Sequence, residues 1–519
     1  VNNYKPGGTG QKQTRISKMH KTTEQKNAAR SSAAATSGAI ASGSTGSGKN
    51  NTHPKKGKPA QSSRLRTARE VALQTLVKVA EAGAYSNLQL NRALQDAQLS
   101  RQDAALATEL VYGTISHQRT LDYRLEMLVT KGLDKLAVWV HQLLRMSAYQ
   151  LLYLNRIPPH AAVNEAVQIA KHRGHAGISG MVNGVLRNML RRLPEMQQPV
   201  SSEDPVKRIG LTYSYPDWLV GRWLSVYGEA GAEAICAAGN ESPHASLRIN
   251  SNRLSVEKGI ALLAEAEIDA TESKLTAGGI VIESNAGNLT QLEGYGEGLW
   301  TLQDESSMLV AQVCAPKPGM TVLDCCAAPG GKTTHMAELM NDMGRLVAND
   351  LHPHKKQLIQ EQAQRLGLTI IEAVSGDASE LSGQFPAEAF DVVLLDAPCS
   401  GFGVLRRKPE IKWTKSPEDI DAIAALQERL LDEASRLVKP GGTLVYSTCT
   451  IEQEENEGQI NRFLQKHPAY LLDAAWPEPV LAPLLEAGLI GKDFQGALQL
   501  LPQHFGSDGF FIARFKRRD

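Results

Sequence analysis

Cysteine is scarce in this chain: six residues in 519, at positions Cys236, Cys314, Cys325, Cys326, Cys399 and Cys449. That is too few for a disulfide framework, and no pair has the C-x-x-C spacing of a zinc site, so a reducing compartment and no metal centre are expected. Long apolar runs are missing too. Nothing approaches the roughly 18 residues that read as a membrane span, and there is no leader with a charged start, an apolar middle and a small-residue cleavage site. Both absences point to the cytoplasm and away from a membrane partner. Charge of one sign is also lacking: the net charge is +1, so no global positive field announces nucleic acid, and any RNA-binding surface must come from local clusters.

What is present is ordinary globular composition, 42% hydrophobic and 21% charged, which argues against a fibrous or wholly disordered chain. The length exceeds what one core can organise, and three or four folded units are expected. Residues 1–63 carry Gly, Ser, Thr, Ala, Asn and Lys with few large apolar side chains, and eleven Lys and Arg stand against the lone acid Glu24. Such a stretch cannot offset its ordering entropy and reads as a disordered basic tail, suited either to weak RNA contact or to plain solvation. Residues 64–195 show apolar positions at helical spacing, as in Leu143-Leu144-Met146-Leu151-Leu152-Leu154, and read as an all-α bundle. The prolines of Ile157-Pro158-Pro159-His160 read as closing one of its helices, with the next under way at Asn164-Glu165. Its C-terminal cations (Lys171, His172, Arg173, Arg187, Arg191, Arg192) read first as a solvated face. Residues 205–302 mix a helical start with strand-like runs at 245–250 and 279–283, a small α+β module. In residues 303–519 strand and helix patterns alternate, the signature of an α/β, doubly wound parallel sheet.

Thr321-Val322-Leu323-Asp324-Cys325-Cys326-Ala327-Ala328-Pro329-Gly330-Gly331-Lys332-Thr333 reads as strand, Gly-rich turn and helix, which brings a ligand against backbone N–H groups. It is not a phosphate loop, because Cys326 stands where the first Gly would be needed, and G-x-G-x-x-G spacing is absent. Asp350, Asp377 and Asp396 follow in turn at the ends of later strands. In a doubly wound sheet these ends face one crevice, so the three acids converge, and an acid after the second strand suits the hydroxyls of a ribose. Any one of them alone would more often be a helix cap. Two further cysteines close apolar strands, in Asp396-Ala397-Pro398-Cys399-Ser400-Gly401 and Ser447-Thr448-Cys449-Thr450.

These three motifs resemble those of the Nol/Nop/Sun family of RNA cytosine-C5 methyltransferases, and the bundle in front resembles the NusB-like RNA-binding domain, a pairing typical of the Sun (Fmu) branch that acts on small-subunit ribosomal RNA. The resemblance implies a Rossmann-like class I methyltransferase domain with S-adenosyl-L-methionine as cofactor and 16S (small-subunit) ribosomal RNA as partner, working as a monomer. It assigns the cofactor to Cys326, Ala327, Ala328, Pro329, Gly330, Gly331, Lys332, Asp350, Asp377 and Asp396. It makes Cys449 the nucleophile and Cys399 the promoter of product release. The chemistry needs such a set: cytosine C5 is a poor nucleophile until a thiolate adds at C6, an acid at N3 (Asp396) eases that addition, and a second thiol can help remove the C5 proton. The target base must be unpaired or flipped for the attack. Cys325 and Cys326 read as packing positions. Arg406-Arg407-Lys408-Pro409-Glu410-Ile411-Lys412-Trp413 reads as a phosphate-contacting and base-stacking segment, and Asp508–Phe515 as a final structural strand.

Three alternatives stay open at the level of sequence. The nucleophile is Cys399, as in the Pro-Cys of DNA cytosine methyltransferases; the substrate is transfer RNA; or the chain is a non-catalytic RNA-binding or assembly factor with a degenerate methylase domain.

Overall fold

The computed structural model describes residues 67–83, 85–284 and 287–519; the basic tail expected to be disordered lies outside them. The helical bundle opens with α1 (Ala68–Ala82), whose start is set by a capping box in which Thr67 and Glu70 satisfy each other's backbone N–H. Helices α2 (Ser86–Ala97), α3 (Arg101–Ser116), α4 (Gln118–Glu126), α5 (Val138–Tyr153), α6 (Pro159–Arg173) and α7 (Ala176–Arg191) follow. Leu73, Leu110, Leu121, Leu143, Leu144, Ala170 and Leu186 are fully buried in their shared core. The prolines do not close α5, which stops at Tyr153; Pro159 instead opens α6 at its first position, where a missing N–H costs nothing. Of the C-terminal cations, Lys171, His172, Arg173, Arg187 and Arg191 are exposed.

The small module holds a four-stranded antiparallel sheet of β1 (Ala245–Ile249), β2 (Asp269–Glu272), β3 (Gly279–Ser284) and β4 (Trp300–Leu302), in the order β2-β3-β1-β4. Its apolar side is closed by Leu247, Leu263, Ile280 and Trp300.

Strands β5 (Thr321–Asp324), β6 (Arg345–Asp350), β7 (Ile371–Ser375), β8 (Phe390–Asp396) and β9 (Val438–Thr448) pair in parallel in the order β9-β8-β5-β6-β7. The sheet is extended beyond β9 by antiparallel β12 (Phe510–Arg517), which also pairs β10 (Tyr470–Leu472) and β11 (Ala497–Leu500). Alternate residues of β8 enter different cores, Val392 and Leu394 on one face, Val393 and Leu395 on the other. Helices cover both faces, so these strands are apolar throughout, and each buried aliphatic side chain contributes about 1.5–3 kcal/mol. The strand order reverses between β5 and β8, which opens a crevice at the carboxyl ends of the parallel strands. The final strand foreseen at 508–515 is β12, which starts at Phe510 and lies between β9 and the strands β10 and β11.

Candidate active site

A cavity of about 780 Å³ lies at this crevice and is lined by Asp350, Asp377, Asp396, Cys399 and Cys449 among others. The turn after β5 makes one side. Gly330 caps the helix Gly331–Leu339 at φ 105°, a conformation that a side chain would strain. Cys326 and Ala328 line the cavity, whereas Ala327, Pro329, Gly330, Gly331 and Lys332 of the same turn do not. Cys325 is buried, and burial lifts the thiols of Cys325 and Cys326 above the ordinary value, as suits packing positions. Asp324, which closes β5, accepts from the Thr333 hydroxyl at 2.7 Å, and burial pushes it up to about 7.

Asp350 closes β6. One of its oxygens accepts from the Ala328 N–H at 3.2 Å, and Lys355 lies at 3.2 Å from the other. Asp377 sits two residues past β7, exposed, with the Ser379 N–H and hydroxyl on one oxygen at 2.8 and 2.7 Å. Those two donors hold its carboxyl below the ordinary value. Both acids therefore keep acceptor capacity toward the cavity.

Asp396, the last residue of β8, is held from two sides: Lys332 Nζ donates to Oδ2 at 2.8 Å and Ser447 Oγ to Oδ1 at 2.8 Å. Lys332 thus turns from the Gly-rich turn to Asp396, with its ammonium also 5.0 Å from the centre of the Phe510 ring. Cys399 and Cys449, fifty residues apart, have their sulfurs 3.2 Å apart. Three contacts bring their loops together: Ser400 Oγ to Thr450 Oγ1 at 2.8 Å, the Ser400 N–H to the Glu455 carboxylate at 2.9 Å, and the Gly403 N–H to the Cys449 carbonyl at 3.0 Å. Gly403 has to be glycine, since a Cβ would fall 1.9 Å from the Gly509 carbonyl oxygen. The contact between the two sulfurs pulls the Cys449 thiol below its ordinary value, and the cations Lys332 and Lys408 act in the same direction against burial and the Asp396 charge. The same contact, with burial, lifts Cys399 well above its ordinary value. The pair is therefore unequal, with the thiolate favoured at Cys449.

The segment after Cys399 departs from the sequence expectation. Arg406 is 7% exposed and donates to the carbonyls of Ala238, Pro502 and Gly506; Arg407 pairs with Asp304 and Asp508 at 2.8 and 2.9 Å. Lys412 is buried 3.8 Å over the Tyr215 ring, and burial pushes it down to about 7. Trp413 packs on the bundle core and donates to the Ile115 carbonyl at 2.9 Å. These four side chains make fixed contacts that hold modules together; of the segment's cations, only Lys408 lines the cavity. Sequence reasoning missed Ser447, Thr450 and Glu455, which fix the cysteine loops, and Lys355. It also missed Arg248 of β1, buried with Glu338 at 2.9 Å and donating to the Gly331 carbonyl at 2.8 Å, which ties the small module to the Gly-rich turn. A lone Arg in a strand gives no signal of such a partner.

Among the described residues no group of three or more His, Cys, Asp or Glu is arranged to hold a metal ion, and no helix is long and apolar enough to cross a membrane.

A doubly wound sheet with this Gly-rich turn, behind a NusB-like bundle and a small α+β module, defines a Rossmann-like class I methyltransferase with appended domains. Residues 311–516 match the model of the 16S rRNA methyltransferase RsmB/F family, 66–191 that of the NusB family, and 215–287 that of the RsmF/B-like ferredoxin-like domain. The probable ribosomal RNA small subunit methyltransferase B of Bacillus subtilis is 44% identical over 87% of this chain and 99% of its own length. The corresponding protein of Synechocystis is 40% identical over 87% and 99%. The crystal structure of PH0851 superposes with a TM-score of 0.70 at 26% identity, covering 86% of this chain and 98% of that one. The chain belongs to the ribosomal RNA small subunit methyltransferase B (RsmB) family.

Proposed function

We propose that this protein transfers the methyl group of S-adenosylmethionine to C5 of a cytosine in small-subunit ribosomal RNA, through a covalent bond between Cys449 and C6 of the base. The observation that carries the reading is the pair of thiols, their sulfurs 3.2 Å apart, in one cavity with Asp350, Asp377 and Asp396. The family and the named activity of the relatives support ribosomal RNA as the substrate class.

In this reading the cofactor, when bound, supplies an electrophilic methyl group. The turn from Cys326 to Lys332 meets its ribose side through the cavity-facing residues Cys326 and Ala328, together with Asp350, and Asp377 holds its adenine. The Cys449 thiolate adds to C6, which makes C5 enamine-like and able to take the methyl group. The Lys332–Asp396 pair engages N3 and feeds a proton to it as electron density arrives. The C5 proton then leaves to a base, and the C6–S bond breaks to return the Cys449 thiolate, a step that Cys399 assists. The bundle (64–195) and the small module (205–302) present the RNA to the methyltransferase domain (303–519), and the target cytosine enters out of its stack.

The test uses an unmodified small-subunit ribosomal RNA transcript and methyl-labelled cofactor, with the product nucleoside identified by mass spectrometry. 5-Methylcytidine is expected; any other methylated nucleoside, or methylation of transfer RNA alone, overturns the reading. On RNA containing 5-fluorocytosine, Cys449→Ala loses the covalent adduct and Cys399→Ala accumulates adduct with RNA; the reverse pattern assigns the attack to Cys399.

A further inference from the structure

Part of the cavity wall comes from another module. Gly83 and Tyr85, on the connection between α1 and α2 of the bundle, line it together with Lys408, Glu410 and Lys415. Tyr85 is 59% exposed, and among the described residues its ring stacks on no other ring and its hydroxyl has no hydrogen-bond partner. The residue that follows it, by contrast, is anchored. The carboxylate of Glu410, itself only 5% exposed, accepts from the Ser86 N–H at 3.1 Å and from the Ser86 hydroxyl at 2.7 Å. A desolvated carboxylate accepting two hydrogen bonds at one loop position is a strong and directional anchor. Glu410 also belongs to the stretch that leaves Cys399, so the residue next to Tyr85 is tied to the loop that carries one of the two thiols.

We infer that Tyr85 of the helical bundle is a substrate-positioning residue of the methylation site, stacking on the nucleobase beside the cytosine that enters the cavity. The inference rests on the reading of the cavity as an RNA methylation site. Extruding a base leaves its neighbour with an uncovered face, and an aromatic side chain next to an anchored residue can replace the lost stacking. Lys408 and Lys415 on the same wall supply cations for the adjoining phosphates, and aromatic faces interleaved with cations are how single-stranded RNA is held. A bundle used only as a remote RNA anchor would have no reason to place an unpartnered ring here.

The test measures the KM for the unmodified small-subunit ribosomal RNA transcript, at saturating S-adenosylmethionine, for the full chain and for Tyr85→Phe and Tyr85→Ala, with cofactor affinity followed by calorimetry. Tyr85→Ala is expected to raise the KM for RNA by about five- to a hundredfold, the span of one base–aromatic stack, and to leave cofactor affinity unchanged. Tyr85→Phe, which keeps the ring, is expected to stay close to the parent. An unchanged KM in Tyr85→Ala overturns the inference, and so does a parallel loss of cofactor affinity, which would make Tyr85 a packing residue of the wall. The product nucleoside is read separately: a base other than 5-methylcytidine defeats the proposed chemistry and leaves the KM ratio to decide on Tyr85. If the parent protein transfers no methyl group, retention of the same transcript on filters by the three proteins decides it instead.

Discussion

The loop Asp396–Gly401 and the segment Arg406–Trp413 leave the same strand one after the other, yet they do opposite work. In the first, reactive groups retain unused capacity: the sulfurs of Cys399 and Cys449 face a cavity, and Asp396 is held without being enclosed. In the second, polar groups are used up. Arg406 has three carbonyls, Arg407 two carboxylates, and Lys412 an aromatic face and the Asn240 amide oxygen at 3.1 Å. A group saturated by fixed partners stabilises the fold, and one left partly unsatisfied at a cavity is available to a substrate. The two stretches also depend on each other, because the joint fixes where the thiol loop sits.

The largest effect that sharpens this contrast is at Cys449. Cys449→Ala should lower turnover by more than about a thousandfold, the scale of removing a nucleophile, with no fall in melting temperature; a drop in melting temperature matching the activity loss would place Cys449 with the structural joint instead. The joint variants should behave inversely. Arg248→Leu leaves the Glu338 charge buried without its partner and should cost about 3–5 kcal/mol in chemical denaturation, and a neutral result would break the claim that this pair ties the small module down. Trp413→Ala removes a partly buried ring and should cost about 2–3 kcal/mol, while the isolated chemical step, followed in a single turnover at saturating RNA, is little changed.

The smallest effects are pH slopes of opposite sign. Lys412 is pushed down to about 7 from an ordinary 10.5. Between those values the unfolded chain binds more protons than the folded one, so the Lys412 contribution makes stability rise with pH above about 7. Asp324 is pushed up to about 7 from an ordinary 3.8. Between about pH 4 and 7 the folded chain binds more protons, so its contribution makes stability fall as pH rises. Each slope is at most about 1.4 kcal/mol per pH unit. Denaturation midpoints across pH, compared with Lys412→Met and Asp324→Asn, should lose the rise and the fall respectively; parallel curves for parent and variant would contradict the assigned burial.

Legibility from sequence followed the range of the interactions involved. The strands were readable because alternation and apolar runs are local, and the acids Asp350, Asp377 and Asp396 because the carboxyl ends of a doubly wound sheet always face one crevice. The role of Arg406, Arg407, Lys412 and Trp413 was misjudged because cations and an aromatic in sequence look the same whether they face solvent or a neighbouring module. Tyr85 was not visible at all, since the cavity it lines is built from residues more than two hundred positions away.

By itself the sequence determined the succession of modules, the Gly-rich turn that ends in Gly330, and the identity of the groups at the crevice, because periodicity and backbone conformation are properties of neighbouring residues. Only the tertiary structure decided that the sulfurs of Cys399 and Cys449 meet, that Lys332 turns to Asp396, and that Glu410 holds Ser86 of the bundle. Those contacts span fifty to more than three hundred residues, and their geometry is fixed by the packing of whole elements, which no local pattern records.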